Sequence, residues 1–147
     1  MKKEFANFRV VLDTKPLIKF FAQEEGWDAV QKILSKIEEG KIDAAISVVT
    51  LTEIYYKYVQ EKKEDLAKER TQNLRYTIYL KKLEINEETA IKAGEFKGKY
   101  NISIADAFIA AAAYLEGATI ISDDPDYKKI LEIETLTEKE LNVKLDQ

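Results

Sequence analysis

Five short apolar runs, at 8–12, 42–47, 83–85, 118–122 and 133–136, alternate along this chain with stretches of helical periodicity. No tight hairpin turn joins any two of them. Parallel neighbours in a sheet need a crossover segment rather than a two-residue turn, so this alternation predicts a parallel sheet covered by helices on both faces. Helices are expected at about 16–21, 27–38, 51–60, 64–79, 87–99 and 103–116, with a turn at Pro125 leading into a short helix. The second is clearest: Trp27, Val30, Ile33, Leu34 and Ile37 recur at helical spacing, and Gly40 follows as a stop. No repeat, linker or low-complexity segment interrupts the 147 residues. The expected architecture is one domain, 1–147, built as a three-layer α/β/α sandwich around a mainly parallel sheet of four to five strands.

Connectivity carries four acidic residues to one edge of that sheet. Asp13 ends the run Val10-Val11-Leu12, so it leaves the carboxyl end of the first strand. Glu53 lies near the start of the helix fed by the second strand. The alanine-rich helix from Ser103 passes into the next strand through Gly117, so its far end marks the opposite edge and its start, with Asp106, returns to the first. Asp124 lies just past the strand 118–122. Ligands of open α/β sheets bind beyond the carboxyl ends of the strands, which is where these residues converge.

Composition narrows the chemistry available there. The chain has no histidine and no cysteine, which excludes serine–histidine triads, thiolate nucleophiles, disulfides and the usual zinc sites. Carboxylates drawn together repel one another unless a cation compensates, and a hard divalent metal is the natural partner of oxygen ligands. The amino-terminal segment Met1-Lys2-Lys3-Glu4-Phe5 lacks the apolar stretch of a signal peptide, and no run is long enough to span a bilayer. A soluble, cytoplasmic protein without membrane association is therefore expected.

Each acid also has a plainer reading. Thr50-x-x-Glu53 and Ser103-x-x-Asp106 both fit the capping box, in which the acid satisfies backbone donors at a helix start. Ser35/Glu38, Thr135/Glu138 and Thr137/Glu140 fit it too, so the pattern alone decides nothing. Asp13 and Asp124 are also ordinary turn-forming aspartates by position. Thr14 and Ser122 are either hydroxyl donors to the carboxylates or local caps. Four unrelated caps have no reason to share one sheet edge, and that is the argument for the joint reading.

Charge adds a further feature. The net charge of −4 does not advertise nucleic-acid binding, but its distribution is uneven. Residues 57–82 carry eight basic against four acidic side chains, whereas 83–147 carry seven against fourteen. The basic island is either a solvated helical face or a track for a phosphate backbone leading to the acids. Tyr55, Tyr56 and Tyr58 serve either packing or base stacking.

In order and surroundings the acids resemble those of the PIN-domain nucleases, particularly the VapC-type toxins, over about residues 8–136. Leu12-Asp13-Thr14 matches the strand ending in Asp-Thr, and Leu51-Thr52-Glu53 the Glu at a helix start. Ala105-Asp106-Ala107, leading into a small-residue helix, matches the Asp-Ala pair, and Ser122-Asp123-Asp124-Pro125-Asp126-Tyr127 the closing Thr/Ser-x-Asp-x-Asp-aromatic. The resemblance implies that Asp13, Glu53, Asp106 and Asp124 are the catalytic and metal-binding quartet for Mg²⁺ or Mn²⁺. Asp13 and Asp106 would anchor the main ion, with Glu53 and Asp124 orienting water or holding a second ion. Thr14, Lys15, Ser122 and Asp126 would surround these ligands or meet substrate. The implied reaction is hydrolysis of RNA phosphodiester bonds, leaving a 5′-phosphate. The implied partners are RNA, a small antitoxin whose basic or aromatic side chains enter the acidic pocket, and a second copy of the chain, with apolar residues of the 51–80 helices as contacts. The sequence departs from the family pattern at Lys15-Pro16, where a small polar residue is usual. A lysine there would contact a phosphate or displace a cation.

Three function classes are therefore in play. The first is a metal-dependent endoribonuclease, as a toxin or in RNA processing. The second is a catalytically silent RNA- or protein-binding module, motivated by Lys15. The third is a phosphomonoesterase, against which stands the absence of a second acid in Asp13-Thr14-Lys15.

Overall fold

The computed structural model describes residues 8–147; the Met1–Phe5 segment discussed above lies outside the described residues. The strands are β1 (Arg9–Leu12), β2 (Asp43–Ser47), β3 (Leu80–Leu83), β4 (Thr119–Ile121) and β5 (Thr135–Leu136). They form one sheet in the order β3-β2-β1-β4-β5, with every neighbouring pair parallel. The helices are α1 (Thr14–Ala22), α2 (Trp27–Glu38), α3 (Val48–Gln60), α4 (Glu64–Tyr76), α5 (Glu87–Lys99), α6 (Ile104–Glu116) and α7 (Glu138–Leu145), and a 3₁₀ turn spans Pro125–Lys129. This is the three-layer arrangement expected from the alternating pattern. No helix among the described residues is long and apolar enough to cross a membrane.

The strands read as near-continuous apolar runs because both faces of the sheet are buried. Val11 and Ile120 turn to one core, with Phe96 of α5 and the alanines of α6; Val10, Leu12 and Ile121 turn to the other, with Leu17, Ile33, Ile54 and Leu141. Ala107, Ala110, Ala111 and Ala113 are fully buried, so α6 lies close against the sheet. Gly117 adopts φ +64° at its end, a left-handed conformation that costs glycine little. Ala118 then donates to the Ala113 carbonyl, and the chain enters β4 directly. The short connection on which the placement of Asp106 depended is thus present.

α1 and α3 begin earlier than expected, at Thr14 and Val48, and three further differences have physical causes. β3 occupies Leu80–Leu83 rather than 83–85, because Lys81 and Lys82 interrupt the apolar run while only Leu80 and Leu83 turn inward. Lysines suit an edge strand, where charge discourages pairing with another chain. α4 ends at Tyr76 rather than 79 because Thr77 becomes extended. α7 has no counterpart among the helices expected from periodicity. The Thr137/Glu140 pattern, set aside above as one of several matches, is a complete capping box that starts this helix.

Candidate active site

β1 lies between β2 and β4, so connections diverge to either side of it, and the crevice at its carboxyl end is where Asp13 stands. Asp13 occupies the N-cap position of α1, yet its side chain makes no capping hydrogen bond. Its backbone N–H continues the ladder to the Ile121 carbonyl, and its carboxylate turns inward. Oδ2 accepts from Ser122 Oγ at 2.7 Å and Oδ1 from the Tyr127 hydroxyl at 2.9 Å. Only 3% of Asp13 is exposed. Burial therefore pushes its pKa up to about 6; the Ser122, Thr14 and Tyr127 hydrogen bonds oppose this, and the nearby Asp106 charge adds to it.

Glu53 is not the capping residue that the Thr50 pattern suggested. Ser47 caps α3, accepting from the Val49 N–H, which places Glu53 in the second turn with its side chain free for another role. Glu53 Oε1 accepts from Thr14 Oγ1 at 2.6 Å, and Thr14 Oγ1 also lies 3.0 Å from Thr50 Oγ1. Burial raises the Glu53 pKa, the Thr14 bond counters it, and Asp106 raises it further.

Asp106 stands in the first turn of α6, where its backbone N–H donates to Ser103 Oγ. Its carboxylate goes elsewhere: Oδ1 accepts from Tyr127 at 2.9 Å. Its pKa is raised by burial first and by the charges of Asp124 and Asp126. Asp124 does serve a turn, as its plainer reading required, since Oδ1 accepts from the Asp126 N–H at 3.0 Å. Its Oδ2 lies 3.8 Å from Lys15 Nζ. Carboxylate oxygens of Asp106, Asp124 and Asp126 lie within 4.8 Å of one another.

Asp13, Glu53, Asp106 and Asp124 thus line one cleft of about 260 Å³, together with Thr14, Lys15, Tyr56, Lys57 and Gln60. A larger cavity of about 510 Å³ opens at the opposite sheet edge near Arg9, Asp43 and Lys81. Its charges are of mixed sign, with Lys81 paired to Glu116, and it lacks the one-signed crowding that calls for a cation.

The family model of the PIN domain matches residues 10–132. This chain belongs to the PIN-domain family. A chain of VapBC2 from Rickettsia felis, crystallised with a DNA fragment from its promoter, is similar in fold, with TM-score 0.73, 18% identity, and coverage of 88% of this chain and 98% of that one. A chain of VapBC-1 from nontypeable Haemophilus influenzae gives TM-score 0.70 at 15% identity, covering 90% and 99%. A chain of FitAcB from Neisseria gonorrhoeae gives 0.67 at 20%, covering 88% and 98%. A comparison with curated proteins gives no match.

The donor set of this PIN domain fits a hard dication. The convergent donors are carboxylate oxygens, those of Asp106, Asp124 and Asp126 lie close to one another while Asp13 and Glu53 line the same cleft, and Asp13 and Asp106 carry raised pKa values that a bound cation would relieve.

Two features of the site escaped the sequence. Tyr127, read only as the aromatic end of a motif, places its hydroxyl between Asp13 and Asp106; a tyrosine buried to 0% exposure needs a polar partner, and that was the available signal. Lys19 donates to Asp123 at 2.5 Å and to buried Glu138 at 2.8 Å, tying the loop that carries Asp124 to α1 and α7. No local pattern links residues this far apart.

Proposed function

We propose that this PIN domain is a Mg²⁺- or Mn²⁺-dependent endoribonuclease that hydrolyses RNA phosphodiester bonds in the cytoplasm, and that it is the toxin of a toxin–antitoxin pair. The observation that carries the reading is the meeting of four carboxylates, from four separate segments, around one cleft. When bound, the ion supplies charge neutralisation at the scissile phosphate and an acidified water. Asp13 and Asp106 would hold it, with Asp124 and Asp126 completing the acidic set. Ser122 and Tyr127 fix the orientation of Asp13, and Thr14 fixes Glu53. Half-buried Glu53, with its raised pKa, is suited to orient and deprotonate the attacking water. Lys57 and Gln60 border the cleft on α3, where an RNA backbone would enter.

The partners follow from the same reading. Structures similar in fold include chains from VapBC and FitAcB assemblies, which supports a small antitoxin as partner; its basic or aromatic side chains would enter the acidic cleft. Exposed Tyr55, Val59, Tyr76 and Ile78 on the 51–80 segment are the candidate contacts of a homodimer. Cleavage of structured and unstructured RNAs, with Mg²⁺ or Mn²⁺ and with EDTA, tests the activity. Wild type is expected to cut only with metal, and Asp13→Asn to be inactive. Equal cleavage by both would point to a contaminating nuclease and remove the support.

One observation favours a second reading, a silent RNA- or protein-binding module. Lys15 Nζ lies near Asp124 and offers a resident cation where a metal would act. RNA binding without turnover at saturating metal, with cleavage restored by Lys15→Ser, is the result that would establish it.

A further inference from the structure

We propose that the Tyr127 hydroxyl is a positioning group for the Asp13–Asp106 pair, holding the two carboxylates in the orientation that takes up a divalent cation. The inference rests on the metal-centre reading above, and it assigns the hydroxyl a role separate from that of the ring. The ring belongs to the core formed with Ile120, Ile130 and the α6 alanines, and the whole residue is buried. A phenylalanine would fill that space equally well. The hydroxyl is therefore not required for packing, and burying it is costly unless it finds partners.

Its partners are the two acids. Oη is 2.9 Å from Asp13 Oδ1 and 2.9 Å from Asp106 Oδ1. Asp13 comes from the end of β1 and Asp106 from the first turn of α6, and the Asp106 charge disfavours the ionised form of Asp13. The single hydroxyl proton, shared between the two acceptor oxygens, offsets part of that repulsion and restrains both side chains, while the carboxylates retain other lone pairs for a cation. Tyr127 is thus an outer partner of ligands, of the kind whose loss weakens metal binding about 10- to 100-fold.

Calorimetric titration of the full chain with Mn²⁺ tests this, using wild type, Tyr127→Phe and, as a control, Tyr100→Phe, whose hydroxyl instead meets Glu132. Tyr127→Met is a second variant that removes the hydroxyl while keeping an apolar side chain. Both position-127 variants are expected to bind Mn²⁺ about 10-fold more weakly, with Tyr100→Phe unchanged. In RNA cleavage at saturating metal, Tyr127→Phe should lower kcat and leave KM near wild type. Unchanged or tighter Mn²⁺ binding by the position-127 variants, beside normal binding by wild type, overturns this proposal and leaves the metal centre standing. Absence of saturable Mn²⁺ binding by wild type overturns both.

Discussion

The two sides of the acidic cleft are built differently. On one side Asp13 and Glu53 are held by hydroxyls: Ser122 and Tyr127 donate to the first, Thr14 to the second. On the other, Asp124 and Asp126 crowd toward Asp106, with backbone N–H donors and two exposed lysines as their company, Lys15 at 3.8 Å from Asp124 and Lys129 at 2.8 Å from Asp126. The first side is oriented in advance by neutral donors. The second sets three crowded carboxylates against two exposed lysines, which leaves net negative charge that a dication would compensate. Asp106 belongs to both sides, since it accepts from Tyr127 and lies against Asp124 and Asp126.

Asp106→Asn should therefore have the largest effect. Metal-dependent cleavage is expected to fall about 1,000-fold, roughly 4 kcal/mol of transition-state stabilisation. Steady-state kinetics at saturating Mn²⁺ checks it; an effect no greater than that of Asp126→Asn would mean the two sides are not joined through Asp106.

pH separates the sides next. Asp13 titrates near 6 in the folded chain, against 3.8 as the ordinary value. The folded state then holds a proton that the unfolded state releases. Stability is present below about pH 4 and lost as pH rises through about 6, by something of the order of 3 kcal/mol. Glu53 and Asp106 shift in the same direction and add to the loss. Denaturant melts in EDTA between pH 4 and 7 should show the decline in wild type and a smaller one in Asp13→Asn. Added Mn²⁺ should offset it by binding the folded state. A stability that rises over this range would contradict the burial of the hydroxyl-held side.

Smaller effects test the supports. Lys19→Met removes the cation between Asp123 and buried Glu138 and is expected to cost about 2 kcal/mol, with Lys19→Arg largely restoring it. Thermal unfolding reads both variants. Thr14→Val leaves Glu53 without its donor and should destabilise by about 1 kcal/mol, with kcat affected more than KM. Lys15→Ser should change stability by less than about 1 kcal/mol, because Lys15 is exposed and its pairing with Asp124 is long. A several-fold gain in cleavage from that change would favour the silent-module reading.

Much of this was legible in the chain because a parallel sheet leaves a strong pattern. The run Val10-Val11-Leu12 signals a strand buried on both faces, and Gly117 fixes the direction in which α6 returns. Together these brought Asp13 and Asp106 to one edge without reference to side chains. What the sequence left obscure depends on contacts between distant residues. Ser103, Thr50 and Thr137 all match one capping pattern, yet only Thr137 completes it, because Ser47 takes the cap that Thr50 suggested and the Asp106 carboxylate turns to Tyr127. β3 was displaced because two lysines sit within an edge strand whose inward residues are three apart. The Tyr127 hydroxyl was hidden because an aromatic in the last motif reads first as core.

An anomalous difference map from crystals soaked in Mn²⁺ tests the central claim most directly. A peak bridging Asp106 and at least one of Asp13 and Asp124, at coordination distance of about 2.1 Å for a magnesium-like ion, is the predicted result. A fully soaked crystal with no peak in this cleft, or with manganese bound only at other acids, would contradict the account.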